Sequence, residues 1–187
     1  FYLAQPLEGF VFGLLLVYEP ALLDILPMYI FFLLMSPWVL AFGMRHGWWG
    51  VMAVSVAVWA MAQYGLAEWL HAQAVHWLHL PVPYADTGSF NAFAWQLLWM
   101  AGLWMGASRN APDAKPFRFP PWVLAIALGL ALYFFWWRHH GIHGQAPFGG
   151  DVQHNLLFDK WLLGPLRIAN LVVLGILIIR FGPPLAR

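Results

Sequence analysis

The sequence predicts an all-α fold, a polytopic transmembrane helical bundle, and three observations carry that prediction. The chain of 187 residues is 62% hydrophobic and 9% charged, with a mean hydropathy of +0.67, whereas a soluble domain carries about 25% charged residues. Several apolar runs approach the roughly 20 residues that a helix needs to cross a hydrocarbon core. Thirteen Trp and six Tyr suit a chain with two membrane–water interfaces, because amphipathic rings favour the headgroup level. Residues 1–187 are expected to form one membrane domain of about five spanning helices plus short interfacial ones. A net charge of +1 gives no basis for a nucleic-acid partner. The absence of cysteine excludes disulfides, thiolate metal sites and Cys nucleophiles.

In chain order, residues 6–18 are apolar and bounded by Pro6 and Pro20. They span about 20 Å as a helix, too short to cross, so an interfacial or re-entrant helix is expected. The first span, 25–43, is preceded by Asp24. Pro27 disfavours helical geometry at Leu26 and suits the first helical position, so the helix is expected to begin at Pro27. The second span is 48–64. Residues 66–80 set Glu68, His71, His76 and His79 among Trp and Leu and read as an amphipathic helix lying on the membrane. Pro81, Pro83, Asp86 and Gly88 make the turn that follows. The third span is 90–107, with Asn91 at its start and Gln96 inside it. The fourth, 121–137, begins on a proline whose missing N–H does no harm there. A Gly- and His-rich loop, 138–159, leads to the fifth span, 162–181. The chain starts Phe1-Tyr2-Leu3 without a Met or a basic segment and reads as a fragment lacking its amino-terminal part.

Basic residues set the orientation. With the 43–48 and 108–120 loops and the carboxyl terminus cytoplasmic, that side holds Arg45, Arg109, Lys115, Arg118, Arg180 and Arg187, against Arg138, Lys160 and Arg167 outside. The excess favours this arrangement. Asp24, the 66–80 helix, the 138–159 loop and the starts of the third and fifth spans then face outward, which gathers the polar chemistry on one side.

Lys160, Leu163, Gly164, Arg167 and Asn170 recur at three- and four-residue spacing, which places them on one face if the segment is helical. An arginine within a membrane costs about 2.5–3.5 kcal/mol on insertion scales and faces a partner or a wet cavity; snorkelling to the headgroups is the plainer alternative. Asn91 and Gln96 suit either a polar site or interhelical hydrogen bonds. Asp24, with Tyr29 in the first turn, is expected to pair with a cation at a shared outer site, or simply to cap its helix. His139-His140-Gly141-Ile142-His143 with Asp151 and His154, and Glu68-x-x-His71, superficially suggest metal ligands. No second Glu-x-x-His exists, and the histidines do not fall into boxes, so no metal is expected. His139 or His140 is a weak candidate acid or base. Ser36, Ser55, Ser89 and Ser108 lack a neighbouring base, and no phosphate loop or Gly-x-Ser-x-Gly elbow occurs.

Three segments, Leu23-Asp24-Ile25-Leu26-Pro27-Met28-Tyr29-Ile30, Phe90-Asn91-Ala92-Phe93-Ala94-Trp95-Gln96-Leu97-Leu98, and Asp159-Lys160-Trp161 through Leu163-Gly164-Pro165-Leu166-Arg167, together resemble the OpgC-type membrane proteins. These are osmoregulated periplasmic glucan succinyltransferases of the wider acyltransferase-3-like group. Ala92 departs from the pattern, which has proline there. The resemblance implies a multi-pass bacterial inner-membrane enzyme, of which this chain is the carboxyl-terminal half. It implies succinyl transfer to hydroxyls of a periplasmic glucan, with succinyl-CoA as donor, no bound cofactor, and a catalytic base lying upstream of this chain. The expected binding residues are Asp24, Tyr29, Asn91, Trp95, Gln96, Arg138, Lys160, Arg167 and Asn170. Arg138, Lys160 and Arg167 suit a carboxylate, and Trp95 suits a sugar ring. A transporter or flippase-like protein for a solute or lipid-linked sugar, and a non-catalytic membrane subunit, are the competing expectations.

Overall fold

A computed structural model describes residues 6–14, 25–79, 81–111, 118–140 and 150–185. They form α-helices α1 (Pro6–Leu14), α2 (Ile25–His46), α3 (Trp48–Gln63), α4 (Leu66–Leu78), α5 (Ala92–Arg109), α6 (Pro121–His140), α7 (Val152–Leu156) and α8 (Pro165–Leu185), with a 3-10 turn at Tyr84–Asp86 and no strand among the described residues. The chain divides into two compact units, Phe1–Pro112 and Asp113–Arg187.

In the first unit, α5 packs on both α3 and α2. Two small polar links pin these apolar surfaces. Ser55 Oγ on α3 donates to Gln96 Oε1 on α5 at 2.7 Å, and Gln96 Nε2 donates back to the Ser55 carbonyl at 2.8 Å and to the Phe93 carbonyl at 3.2 Å. Both residues are buried, so every hydrogen-bonding group of the Gln96 amide has a partner, as a low-dielectric setting requires. Three residues on, Trp99 Nε1 donates to Ser36 Oγ on α2 at 3.1 Å, and Ser36 Oγ donates to the Phe32 carbonyl at 2.8 Å. The Trp99 ring stacks on Phe32. Gln96 and Trp99, at i and i+3, thus tie α5 to two neighbours.

Between α3 and α4 the chain turns by 77°. Gly65 makes the turn at φ +84°, a left-handed conformation that costs a residue with a Cβ free energy. His79 ends α4, also left-handed at φ 52°.

In the second unit, α6 packs on α8. Pro121 and Pro165 occupy the first positions of these helices, where the N–H they lack has no intrahelical partner anyway.

Helices occupy the expected segments except that α7 forms inside the expected 138–159 loop and α8 starts at Pro165, and fewer qualify as membrane spans than the five expected. By length and composition two do, Ile25–His46 and Pro165–Gly182, or three if the bent α3–α4 pair is one broken span. The reasons are physical. The α3 helix stops at Gln63 after 16 residues, about 24 Å against a roughly 30 Å core. The α5 helix is diluted by Gln96, Ser108 and Arg109, and the apolar part of α6 is Pro121–Trp137. Helix α2 begins at Ile25 rather than Pro27, because a proline anywhere in the first turn forfeits only an N–H without an intrahelical acceptor. Of the expected 6–18 helix, Pro6–Leu14 is described and helical.

Candidate functional site

The Asn91 side chain caps α5: its Oδ1 accepts from the Ala94 N–H at 3.1 Å, satisfying one of the free donors of a helix start. Its Nδ2 is buried and has no hydrogen-bond partner among the described residues. A buried amide donor without an acceptor costs about 1–3 kcal/mol, so this atom suits a carbonyl or carboxylate oxygen. One turn on, Trp95 lies half-buried with its ring edge-to-face against Phe90, centroids 5.1 Å apart. Gln96 faces the α3 contact instead, its amide used as described above. Tyr29 is exposed on α2.

The segment before α8 differs from the expected single helical face. Residues 157–164 form a compact turn, and α8 begins only at Pro165. Asp159 organises the turn: Oδ1 accepts from the Trp161 and Leu162 N–H groups, both at 2.7 Å, and its carbonyl accepts from Gly164 N at 2.9 Å. Leu163 is buried with φ 50°. Gly164 lets the backbone fold back on itself, since a Cβ there would lie 2.5 Å from the Leu156 and Leu157 carbonyl oxygens. Lys160, Leu163 and Gly164 are therefore turn residues, and only Arg167 and Asn170 share a face of α8. The helical spacing misled because the Asp159 side chain fixes a tight turn and a residue preceding proline is disfavoured in the α region, so α8 does not extend back through Gly164.

Two cations flank this turn. Lys160 Nζ stands over the Trp161 ring, 3.8 Å from its centroid, an attraction between the ammonium and the ring quadrupole. Arg167 is exposed, and its Nε donates to the Phe158 carbonyl at 2.5 Å, which holds the guanidinium stem against the turn. Asn170 is half-buried one turn further along. Lys160 and Arg167 give the turn a positive character suited to an anionic group.

A third cluster was not among the expected binding residues. Glu68 and His71 of α4 meet the 82–86 segment: His71 Nε2 hydrogen-bonds to the Val82 carbonyl at 3.0 Å, and the His71 ring lies edge-on to Tyr84, centroids 5.4 Å apart. The Tyr84 hydroxyl hydrogen-bonds to Glu68, and its pKa is pushed up to about 12 by burial, by the Glu68 charge and by that hydrogen bond. The sequence signal was the Glu-x-x-His spacing, which puts both side chains on one helix face; their partner on the following turn has no such signature.

Among the other expected site residues, His139 is exposed with its ring 4.3 Å from Phe135. Asp24 lies outside the described residues, as do the side chains of Arg138 and His140; pairing of Asp24 with a cation therefore has no described geometry. Asp151 caps α7 through the His154 N–H and also contacts His154 Nδ1. No three His, Asp or Glu among the described residues come together as metal ligands.

The whole chain, residues 1–187, matches the family described as OpgC protein, and the chain belongs to that family. No curated protein matches it. No solved structure matches it either. Membership suggests a role in glucan modification and a transferase activity, and the apolar helices are compatible with a membrane protein.

Proposed function

We propose that this chain is part of an integral membrane O-acyltransferase of the bacterial inner membrane that moves a succinyl or similar acyl group from an acyl-CoA thioester to hydroxyls of a periplasmic glucan. The observation that carries this reading is the match to the OpgC family along the entire chain. The cations at the 157–164 turn support it: Lys160 and Arg167 suit the free carboxylate of a succinyl group, which an acetyl group lacks. The Nδ2 of Asn91, without a partner among the described residues, suits an acyl or carboxylate oxygen. Transfer requires a base for the acceptor hydroxyl proton and donors for the oxyanion that forms as the thioester carbonyl is attacked.

Mass spectrometry of periplasmic glucans from cells with and without the gene tests the reading. Loss of the succinyl increment with the glucan retained is the expected result; unchanged glucans overturn it. Arg167→Gln and Arg167→Lys refine it. A carboxylate-binding arginine loses transfer in the Gln variant and keeps part of it in Lys, which retains the charge but not the guanidinium fork. Unchanged transfer in both removes Arg167 from the site.

The 77° break between α3 and α4 favours a second reading, passage of a solute or lipid-linked sugar, because broken helices line substrate paths in transporters. Loss of the glucan itself from the periplasm, rather than of its succinyl groups, supports that alternative.

A further inference from the structure

Three features of the Glu68–His71–Tyr84 cluster point to a ligand class. It is rich in acceptors. The Val82 carbonyl can only accept, so His71 Nε2 must donate to it, which leaves Nδ1 as the acceptor nitrogen of the neutral ring. Glu68 is exposed and uses only part of its carboxylate on Tyr84. The helix and turn that carry these residues hold no lysine or arginine, the sequence having none between Arg45 and Arg109. It also offers aromatic surface: Tyr84 is 40% exposed. Hydrogen-bond acceptors beside an exposed ring, with the carboxylates of Glu68 and Asp86 and no lysine or arginine on the same segments, suit a neutral polyol. Its hydroxyls supply donors, and the C–H face of a sugar ring packs on the aromatics.

We propose that Glu68, His71 and Tyr84 form a binding subsite for unmodified sugar residues of the glucan acceptor, and that the Glu68 carboxylate makes this subsite select against sugars already carrying a succinyl group. This inference rests on the transfer reading for the identity of the glucan. The selection follows from chemistry. Succinylation converts a neutral hydroxyl donor into an ester bearing a carboxylate, which removes a hydrogen bond and brings a like charge toward Glu68. Product is released and the next unmodified residue is taken. Val82 is buried and anchors His71, so the acceptor nitrogen is held in place before the sugar arrives.

The test is equilibrium binding to the full chain in lipid nanodiscs free of sugar detergents. The probes are a neutral linear gluco-oligosaccharide and the same oligosaccharide after chemical succinylation. The neutral probe is expected to bind the native protein more tightly, by roughly two- to fivefold, the scale of an exposed charge–charge effect. Glu68→Gln, which still accepts from the Tyr84 hydroxyl, is expected to narrow the preference by the part that the like charge supplies. Tyr84→Ala and His71→Ala are expected to weaken the neutral probe, and binding of that probe to the native protein should not change with salt. Equal binding of both probes to the native protein, or unchanged preference in Glu68→Gln, overturns the selection. Unchanged neutral binding in both alanine variants overturns the subsite. Binding is read without turnover, so its failure is separable from failure of the transfer reading, which the glucan mass alone decides.

Discussion

Phe32 of α2 and Trp99 of α5 lie face to face, their ring centroids 4.9 Å apart and their planes within 5°. The same indole donates to Ser36, one turn along α2 from Phe32. A flat stack and a directed hydrogen bond from one side chain fix both the separation and the rotation of the two helices, which apolar contact alone leaves loose.

Trp99→Phe retains a ring against Phe32 but removes the indole N–H. Its expected cost is about 1 kcal/mol, the worth of one hydrogen bond, read as a lower unfolding midpoint in detergent.

Gln96→Ala is expected to cost more than Ser55→Ala. The first deletes all three hydrogen bonds of the amide, whereas the second leaves Gln96 Nε2 on the backbone carbonyls of residues 55 and 93. Interhelical hydrogen bonds in membranes are worth about 0.6–2 kcal/mol, so the two variants should separate clearly in unfolding assays. Equal losses would show that the Ser55 hydroxyl alone carries the link.

Gly164→Ala forces a methyl group against two backbone oxygens that cannot swing aside. The expected penalty is about 1–3 kcal/mol or more. Opening of the turn should appear as faster proteolysis within residues 157–164, with α6 and α8 retained by circular dichroism.

The Tyr84 phenol titrates late. Its absorbance step, taken as the difference between the native protein and Tyr84→Phe, is expected near pH 12 rather than 10. Glu68→Gln should move it down, since it removes the charge but not the burial. For stability the sign is fixed. A pKa raised on folding leaves this group's contribution intact below pH 10 and erodes it as pH climbs from 10 through about 12, where the unfolded phenol ionises first.

Much of the helical layout was legible because apolar runs and prolines leave strong traces. Helix α4 begins at Leu66, α6 at Pro121, and α2 ends beyond Gly43 close to the expected loop. The 157–164 turn was misread. Lys160, Leu163, Gly164, Arg167 and Asn170 keep a helical period, and only the Gly164-Pro165 pair carried the opposing signal. Asn91 and Gln96 were singled out as polar residues in an apolar span. Their different duties depend on Ser55, 41 residues before Gln96, a pairing that local spacing does not encode. His71 and Tyr84 likewise meet only after the chain turns back on α4. Asp24, from which a charged site was expected, falls outside the described residues.

The corner at Gly65 has a consequence for the surrounding lipid. Embedded in a bilayer, α3 offers about 24 Å of helix where the hydrocarbon is about 30 Å deep, and a short helix is accommodated by thinning of the leaflet beside it. Thinning on that flank would bring the headgroups closer to the end of α3. A water-soluble polymer approaching the Glu68–Tyr84 face would then meet a shallower hydrocarbon layer beside the Gly65 corner.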